Sequence, residues 1–313
     1  MENRVEPLRT EAAVVFFIYR RPGLTAKVFE EIRRYRPNKL YVIADGPRSP
    51  QEVSDVLLTR ACVEDVDWEC QVTRIYQEAN LGLRESVIRG LDLVFNEEEC
   101  AIILEDDCLP DPSFFSFCNS LLARYENDTR LSMISGFSDG AISKVSNGYF
   151  FSPMPEIWGW ATWSRVWKDY RQFEIERKWD PNQIRRIART LGRLTRGRLF
   201  ARLLKNNIGL NTWDLEFAAH LILGNKLTAV PNVNLIQNIG FGGSATHTTL
   251  RPPGLNNFLG HFTFPISHPK KIGSHPLKNV RDAAVKSMRA VVTLLLNPSL
   301  MVDYIAKSRL NRK

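Results

Sequence analysis

The chain has 313 residues, of which 44% are apolar and 24% charged, and a formal net charge of +8. Such a length and composition exclude a disordered or fibrous chain and allow one large domain or two small ones around a substantial core. The positive balance favours anionic partners, whether nucleotide phosphates, nucleic acid or an acidic membrane surface, without choosing among them.

The longest early apolar run, residues 12–19, ends in Arg20 and Arg21. It falls far short of the roughly 20 residues a membrane helix needs. Residues 1–10 mix acids and bases, so no signal peptide is expected. The five cysteines, Cys62, Cys70, Cys100, Cys108 and Cys118, are odd in number and contain no Cys-x-x-Cys pair. That predicts reduced thiols in a cytoplasmic protein and no structural zinc site.

Strand-like and helix-like patterns alternate through the first third. Residues 12–19 read as a buried strand and 25–35 as a helix. Residues 39–44 are a second strand closed by Asp45-Gly46-Pro47, and 51–63 are helical. Residues 71–76 form a third strand leading to Asn80-Leu81-Gly82, then 84–95 a helix and 101–104 a fourth strand. This βαβαβαβ series predicts an α/β fold with a mostly parallel sheet flanked by helices. In such sheets ligands bind beyond the carboxyl ends of the strands. Tyr19-Arg20-Arg21, Asp45-Gly46, the segment from Asn80 to Arg84, and Glu105-Asp106-Asp107 all fall there, so they are expected to outline one crevice.

The last of these segments carries the most chemistry. A short apolar run ends in three consecutive carboxylates, which repel unless solvent or a cation compensates them. Hard divalent cations, Mn²⁺ or Mg²⁺, prefer such oxygen ligands and bridge to the phosphates of a substrate. The triplet therefore predicts a metal–nucleotide site at the end of a buried strand.

The second half is less regular. Residues 113–125 look helical, and 131–134 and 148–153 look like strands. An aromatic cluster follows, Trp158-Gly159-Trp160-Ala161-Thr162-Trp163, then Trp167 and Tyr170. Flat aromatic faces pack against sugar rings, so Trp158, Trp160 and Trp163 are candidate acceptor contacts, with core packing for one or two of them. Residues 182–206 form a basic helical stretch, and 213–223 are a helix. Residues 227–230 are a short strand, and 238–249 a glycine-rich loop holding His247. Residues 251–278 are rich in breakers and predicted irregular. Residues 280–296 and 300–310 are expected to form two amphipathic helices.

Arg185, Arg189, Arg193 and Arg196 lie three or four apart on one helix face, which reads as a solvated face first and as an anionic contact second. The basic tail, with Lys307, Arg309, Arg312 and Lys313 after apolar stretches, allows peripheral association with the inner face of a membrane. His220, His261, His268 and His275 lack metal-ligand spacing and are expected to be structural or surface residues.

The Ile-Leu-Glu-Asp-Asp strand end resembles the metal motif of GT-A fold glycosyltransferases. From about Ala12 to about Thr249 the order of landmarks is similar to that of family 2-type inverting transferases and of the related N-acetylglucosaminyltransferase I group. The resemblance implies a Rossmann-like GT-A fold. Residues 1–135 would form the nucleotide-sugar-binding half, residues 136–250 the acceptor and catalytic half of the same domain, and residues 251–313 an irregular segment with terminal helices. It implies Asp107 as principal metal ligand, Asp106 as a ribose contact or second ligand, and Glu105 facing the donor sugar. Asp45 would read the nucleotide base. Asn80, Gly82 and Arg84 would line its pocket, with Phe17, Tyr19 and Arg20 as its wall. His247 stands where a C-terminal metal ligand is expected.

An inverting transfer also needs a base to take the acceptor proton. The resemblance implies an acid at the start of the helix near Trp213, so Asp214 is the candidate and Glu216 its alternate. Acids also favour a first helical turn for its dipole. The implied activity is metal-dependent transfer of a sugar from a nucleotide-diphosphate donor to a carbohydrate or glycoconjugate hydroxyl, with no nucleic acid partner. A sugar-phosphate nucleotidyltransferase and a non-catalytic glycan- or nucleic-acid-binding protein are the alternatives. The first usually carries a Gly-rich phosphate loop after the first strand, where this chain has Tyr19-Arg20-Arg21-Pro22-Gly23.

Overall fold

Strand β1 (Ala13–Ile18) is buried along its whole length. That is why it reads as an unbroken apolar run, the pattern of a parallel strand covered on both faces. A computed structural model describes residues 11–138, 148–176, 181–190, 213–241 and 258–273. Helix α1 (Pro22–Tyr35) begins three residues before the predicted start, with Pro22 in its first turn, where a missing N–H is harmless. It buries Thr25, Val28, Phe29 and Ile32, one stripe at helical spacing. Then follow β2 (Lys39–Ala44), a 3₁₀ turn (Pro50–Glu52), α2 (Val53–Ala61), β3 (Gln71–Tyr76), α3 (Leu83–Glu97) and β4 (Cys100–Glu105).

The chain continues with β5 (Cys108–Pro110), α4 (Ser113–Arg124), β6 (Leu131–Ser135), β7 (Tyr149–Ser152) and β8 (Trp160–Trp163). After these come α5 (Ser164–Glu176), α6 (Pro181–Thr190), α7 (Asp214–Leu223), β9 (Leu227–Pro231) and β10 (Ile236–Asn238). The fold is α/β. Its central sheet has eight strands in the order β3-β2-β1-β4-β8-β6-β9-β7, and four of the seven pairings are parallel.

Two features of this topology position the site. The chain leaves β1 on one side for β2 and β3 and returns on the other for β4. The carboxyl ends of β1 and β4 therefore flank a topological switch point, where open α/β sheets have their crevice. The second feature is a small antiparallel ribbon, β5 with β10, that sets Asn238 opposite Cys108. It delivers the segment after Asn238 to the acidic triplet, and Ile239 donates its amide to the Asp107 carbonyl at 2.8 Å.

Two of the three candidate tryptophans are core, as allowed for, and they lie on a strand that was not expected. Trp160 to Trp163 form β8, inserted antiparallel between β4 and β6 and buried throughout. Trp160 and Trp163 are thus core residues and not acceptor contacts. Trp160 stacks on Trp213 at 5.7 Å between centroids, and Trp163 donates its indole N–H to the Leu122 carbonyl at 3.2 Å. Gly159 precedes them at φ +57, where an added Cβ would lie 2.3 Å from Ile236.

Of the basic stretch, α6 presents Arg185, Arg186 and Arg189 to solvent around buried Ile187, which is a solvated face. Arg193, Arg196 and the rest of that stretch lie outside the described residues, as do His247, His275 and both predicted terminal helices. Among the described residues no helix is long and apolar enough to cross a membrane.

Helix α7 carries His220 against Phe173, 4.8 Å between ring centroids, with Asp169 at 3.1 Å. Burial pushes the imidazole below its ordinary 6.5, against the opposing pull of Asp169. The unfolded chain therefore takes up the proton first as pH falls through 6.5, and stability is lost in that direction. Relative to His220→Gln, the native chain should lose denaturation midpoint as pH falls below about 7, on top of whatever the buried carboxyls contribute to both proteins. Identical pH slopes for the two proteins would refute this.

Candidate functional site

A cavity of about 360 Å³ opens at the switch point between β1 and β4. Phe17 and Tyr19 of the first strand end, Asp45 of the second, and all three carboxylates of the triplet line it. Asp214, at the start of α7, closes it from the far side together with Trp158 and Phe241. Residues more than 200 positions apart thus line one cavity.

The triplet meets its counter-charge inside the protein. Arg21 grips Asp106 with its Nη2 and with Nε at 3.3 Å, and reaches Asp107 with Nη1 at 3.0 Å. Asp106 also accepts the Tyr19 amide at 3.0 Å and is only 2% exposed. Its oxygens are thereby committed to the loop after β1, which takes it out of the metal-ligand and ribose roles expected of it. Burial outweighs the pull of Arg21 and pushes the Asp106 carboxyl up to about 6. Glu105 has no such grip. Burial, with Asp107 and Asp106 beside it, pushes its carboxyl up to about 8. Asp107 is seated differently again. Its outer oxygen lies where a Cβ on Gly240 would come within 2.3 Å, so only glycine leaves room for it.

Asp45 is a knot between two loops. Its Oδ1 accepts the Gly46 and Leu81 amides, each at 2.8 Å, and its Oδ2 accepts the Gly82 amide and the Asn80 side-chain amide, each at 3.0 Å. A carboxylate has about four acceptor positions, so none is left to read a base. Asn80 and Gly82 are the donors of this knot and are not cavity walls. Arg20 is not part of the cavity wall either: it turns outward to Glu52 at 2.9 Å, the same carboxylate that Tyr19 bonds through its hydroxyl.

Arg84 does not line the cavity either. It is clamped between Glu174 of α5 and Glu216 of α7, the latter at 3.4 Å. Arg171 extends the chain of charges from Glu174 to Asp92 at 2.9 Å. Glu216, 4% exposed, faces this network and not the cavity, while Asp214, two residues earlier, faces the cavity. Residues two apart on a helix do not share a face, which separates the two acids. Of the three tryptophan candidates only Trp158 reaches the cavity, wedged edge-on between Phe137 and Phe241 at 4.8 and 5.8 Å.

Sequence reasoning placed Arg21 at the crevice without a role and passed over Arg48 and Gly240. The signal for Arg21 was its position at the end of β1, level with the acids at the end of β4. Arg48 lines the cavity with its guanidinium 5.4 Å from the Tyr19 ring centre, and it follows the Asp45-Gly46-Pro47 turn already noted. Gly240 had no local signal. Among the described residues no three His, Cys, Asp or Glu side chains converge as a metal cage.

No protein-family model matches this sequence, and no curated protein matches it. Among solved structures, the S. aureus TarS fragment 1–349 is similar at 9% identity over 72% of this chain and 59% of that one, TM-score 0.42. A UDP-glucose pyrophosphorylase complexed with UDP-glucose is similar at 11% over 70% and 90%, TM-score 0.36. A cytidylyltransferase from Leptospira borgpetersenii is similar at 9% over 52% and 65%, TM-score 0.33. The chain thus spans about two thirds or less of the first and third of these proteins. At such scores none of them bears on fold or function, and both rest on the chain's own geometry.

The Asp45 knot is testable without knowing the substrate. Hydrogen bonds to a charged acceptor each contribute roughly 1.5–3 kcal/mol, and buried donors left unpaired add a further cost. Asp45→Ala should therefore lower unfolding free energy by about 3 kcal/mol in urea titrations, with Asp45→Asn in between. A loss below about 0.5 kcal/mol, as at an ordinary surface position, would refute the knot.

Proposed function

We propose that the protein is an inverting, metal-dependent glycosyltransferase that moves a sugar from a nucleotide-diphosphate donor to a carbohydrate hydroxyl, in polysaccharide or glycoconjugate assembly. One arrangement carries this reading: Asp107 and Asp214, from separate elements, open onto the same cavity beside two arginines and an aromatic wall. Those are the parts that a leaving diphosphate, an attacking hydroxyl and a sugar ring each require.

The residues fit a divalent cation. Asp107 offers a hard carboxylate oxygen to the cavity, and the guanidinium against it marks the place as one that favours positive charge. Mg²⁺ and Mn²⁺ are commonly held by one or two carboxylates plus substrate phosphates, without a full protein cage. Asp107 would hold the cation. When bound, it supplies charge against the β-phosphate as the sugar–phosphate bond breaks.

The remaining chemistry belongs to side chains. Arg21 and Arg48 add fixed positive charge for the diphosphate. Asp214 takes the proton of the acceptor hydroxyl as its oxygen attacks the anomeric carbon. The carbon–oxygen bond to the β-phosphate breaks on the opposite face, its electron pair leaves on the phosphate oxygen, and the anomeric configuration inverts. Glu105, whose carboxyl is pushed up by burial and by Asp107 and Asp106 beside it, hydrogen-bonds a sugar hydroxyl. Trp158 gives the sugar an apolar face.

A panel of nucleotide sugars with Mn²⁺ tests the donor side. At least one should raise the melting temperature more with Mn²⁺ than with chelator, and Asp107→Asn should abolish that difference. Equal shifts with and without metal across the panel would refute metal bridging, and pyrophosphate-dependent release of a nucleoside triphosphate would replace transfer by nucleotidyl exchange.

Asp214→Asn should keep donor binding and lose transfer by about 10²–10⁴-fold, the usual worth of a positioned base. Glu216→Gln should instead act through stability. Transfer surviving in Asp214→Asn would move the base elsewhere.

A further inference from the structure

The seat that a cation would take on the triplet is held by Arg21. The Arg21 side chain is only 14% exposed and bridges the side chains of Asp106 and Asp107, which are buried and mostly buried. The oxygen of Asp107 that it reaches, Oδ2, is also the one packed over Gly240. The other oxygen lies beside the Cys108 thiol, a soft group with little affinity for Mg²⁺ or Mn²⁺. A divalent cation on Asp107 therefore meets both a competitor for its ligand and a fixed positive charge beside it.

Arg21 has one other direction open to it. It lines the cavity and stands just before Pro22, which starts α1. Its backbone is held while its long side chain keeps several rotatable bonds. An anion entering the cavity offers the guanidinium a second partner that matches its fork as well as a carboxylate does.

We propose that Arg21 is the site's resident counter-cation and makes metal and nucleotide bind together. A divalent cation alone is held weakly because Arg21 occupies Asp107. A nucleoside diphosphate draws the Nη1 end of Arg21 off Asp107 onto its phosphates while Nε and Nη2 keep Asp106, and the freed Asp107 oxygen then takes the cation. By linkage the cation tightens the nucleotide by the same factor. Arg21 is thus a positioning residue that enforces joint occupancy. This rests on the metal-dependent reading above and adds the order of events at that site.

Free Mn²⁺ measured by electron paramagnetic resonance tests this on the full chain, without a sugar or an acceptor. The probes are Mn²⁺ alone and Mn²⁺ with uridine, guanosine or cytidine diphosphate in turn. The native protein should bind Mn²⁺ alone weakly and at least about tenfold tighter with one of the diphosphates, a usual size of coupling. Arg21→Gln should bind Mn²⁺ alone at least about tenfold tighter than the native chain, and adding the diphosphate should then improve it by less than about threefold. Arg48→Gln removes the same charge from the same cavity without touching the Asp107 contact, so its affinity for Mn²⁺ alone should stay within about threefold of native. Arg21→Lys keeps the charge and loses the fork, and it should fall between native and Arg21→Gln. Circular dichroism checks each fold, and Arg21→Lys decides the matter if Arg21→Gln does not fold.

Equal Mn²⁺ affinity in the native chain and the Arg21 variants would overturn the inference and leave the metal reading standing. So would equal tightening in Arg48→Gln, which would reduce the effect to bulk charge. No Mn²⁺ binding in any protein with any diphosphate would overturn both.

Discussion

Three carboxylates in a row at the end of a buried strand are the constraint around which this protein is arranged. Strand β4 delivers them to the same level as the end of β1, and the chain there supplies an arginine. The pairing of Arg21 with Asp106 and Asp107 neutralises the crowding and joins two strand ends. It also fixes the entry to α1, which begins at the next residue. A buried, unpaired carboxylate would cost far more than any hydrogen bond there could return.

The acids around the cavity divide into two kinds by the elements they tie together. Asp45, Asp106 and Glu216 turn inward: one ties the loops after β2 and β3, one ties the loop after β1, and one anchors α7 through Arg84. Asp107, Glu105 and Asp214 make up the outward group on a cavity wall that Asp45 and Asp106 also reach. The inward group keeps the outward group in place. Asp214 stands at the cavity because the helix that carries it is pinned two residues later, through Glu216 and Arg84, to α3 and α5.

The other organising feature is distance along the chain. The β5–β10 ribbon brings Gly240 against Asp107, and β8 enters the sheet between β4 and β6. Through these two insertions, residues from the later part of the chain build half of a cavity founded by the first hundred residues. The tryptophans of β8 are large and flat, and they serve as packing between β4 and α7 through Trp160 and Trp213. Trp158, just outside the strand, is left for the cavity.

The sequence by itself determined the βαβ series, the strand ends that face the crevice and the acidic triplet at their centre. These follow from local period and composition, and a strand or helix leaves that signal in a window of about ten residues. The strand ends that carry Tyr19 and Asp107 were legible for that reason, whereas Phe17 and Asp214 entered the site through a family resemblance and Trp158 through its aromatic face. Only the tertiary structure decided what each side chain bonds. Arg21 and Asp106 are 85 residues apart, and Arg84 and Glu216 are 132 apart. No local period encodes such a pairing, because it depends on which strands become neighbours and in what register. The same holds for the Trp160–Trp163 segment, whose four residues are too short for periodicity to reveal a strand. Burial against β4 and β6 alone makes it one.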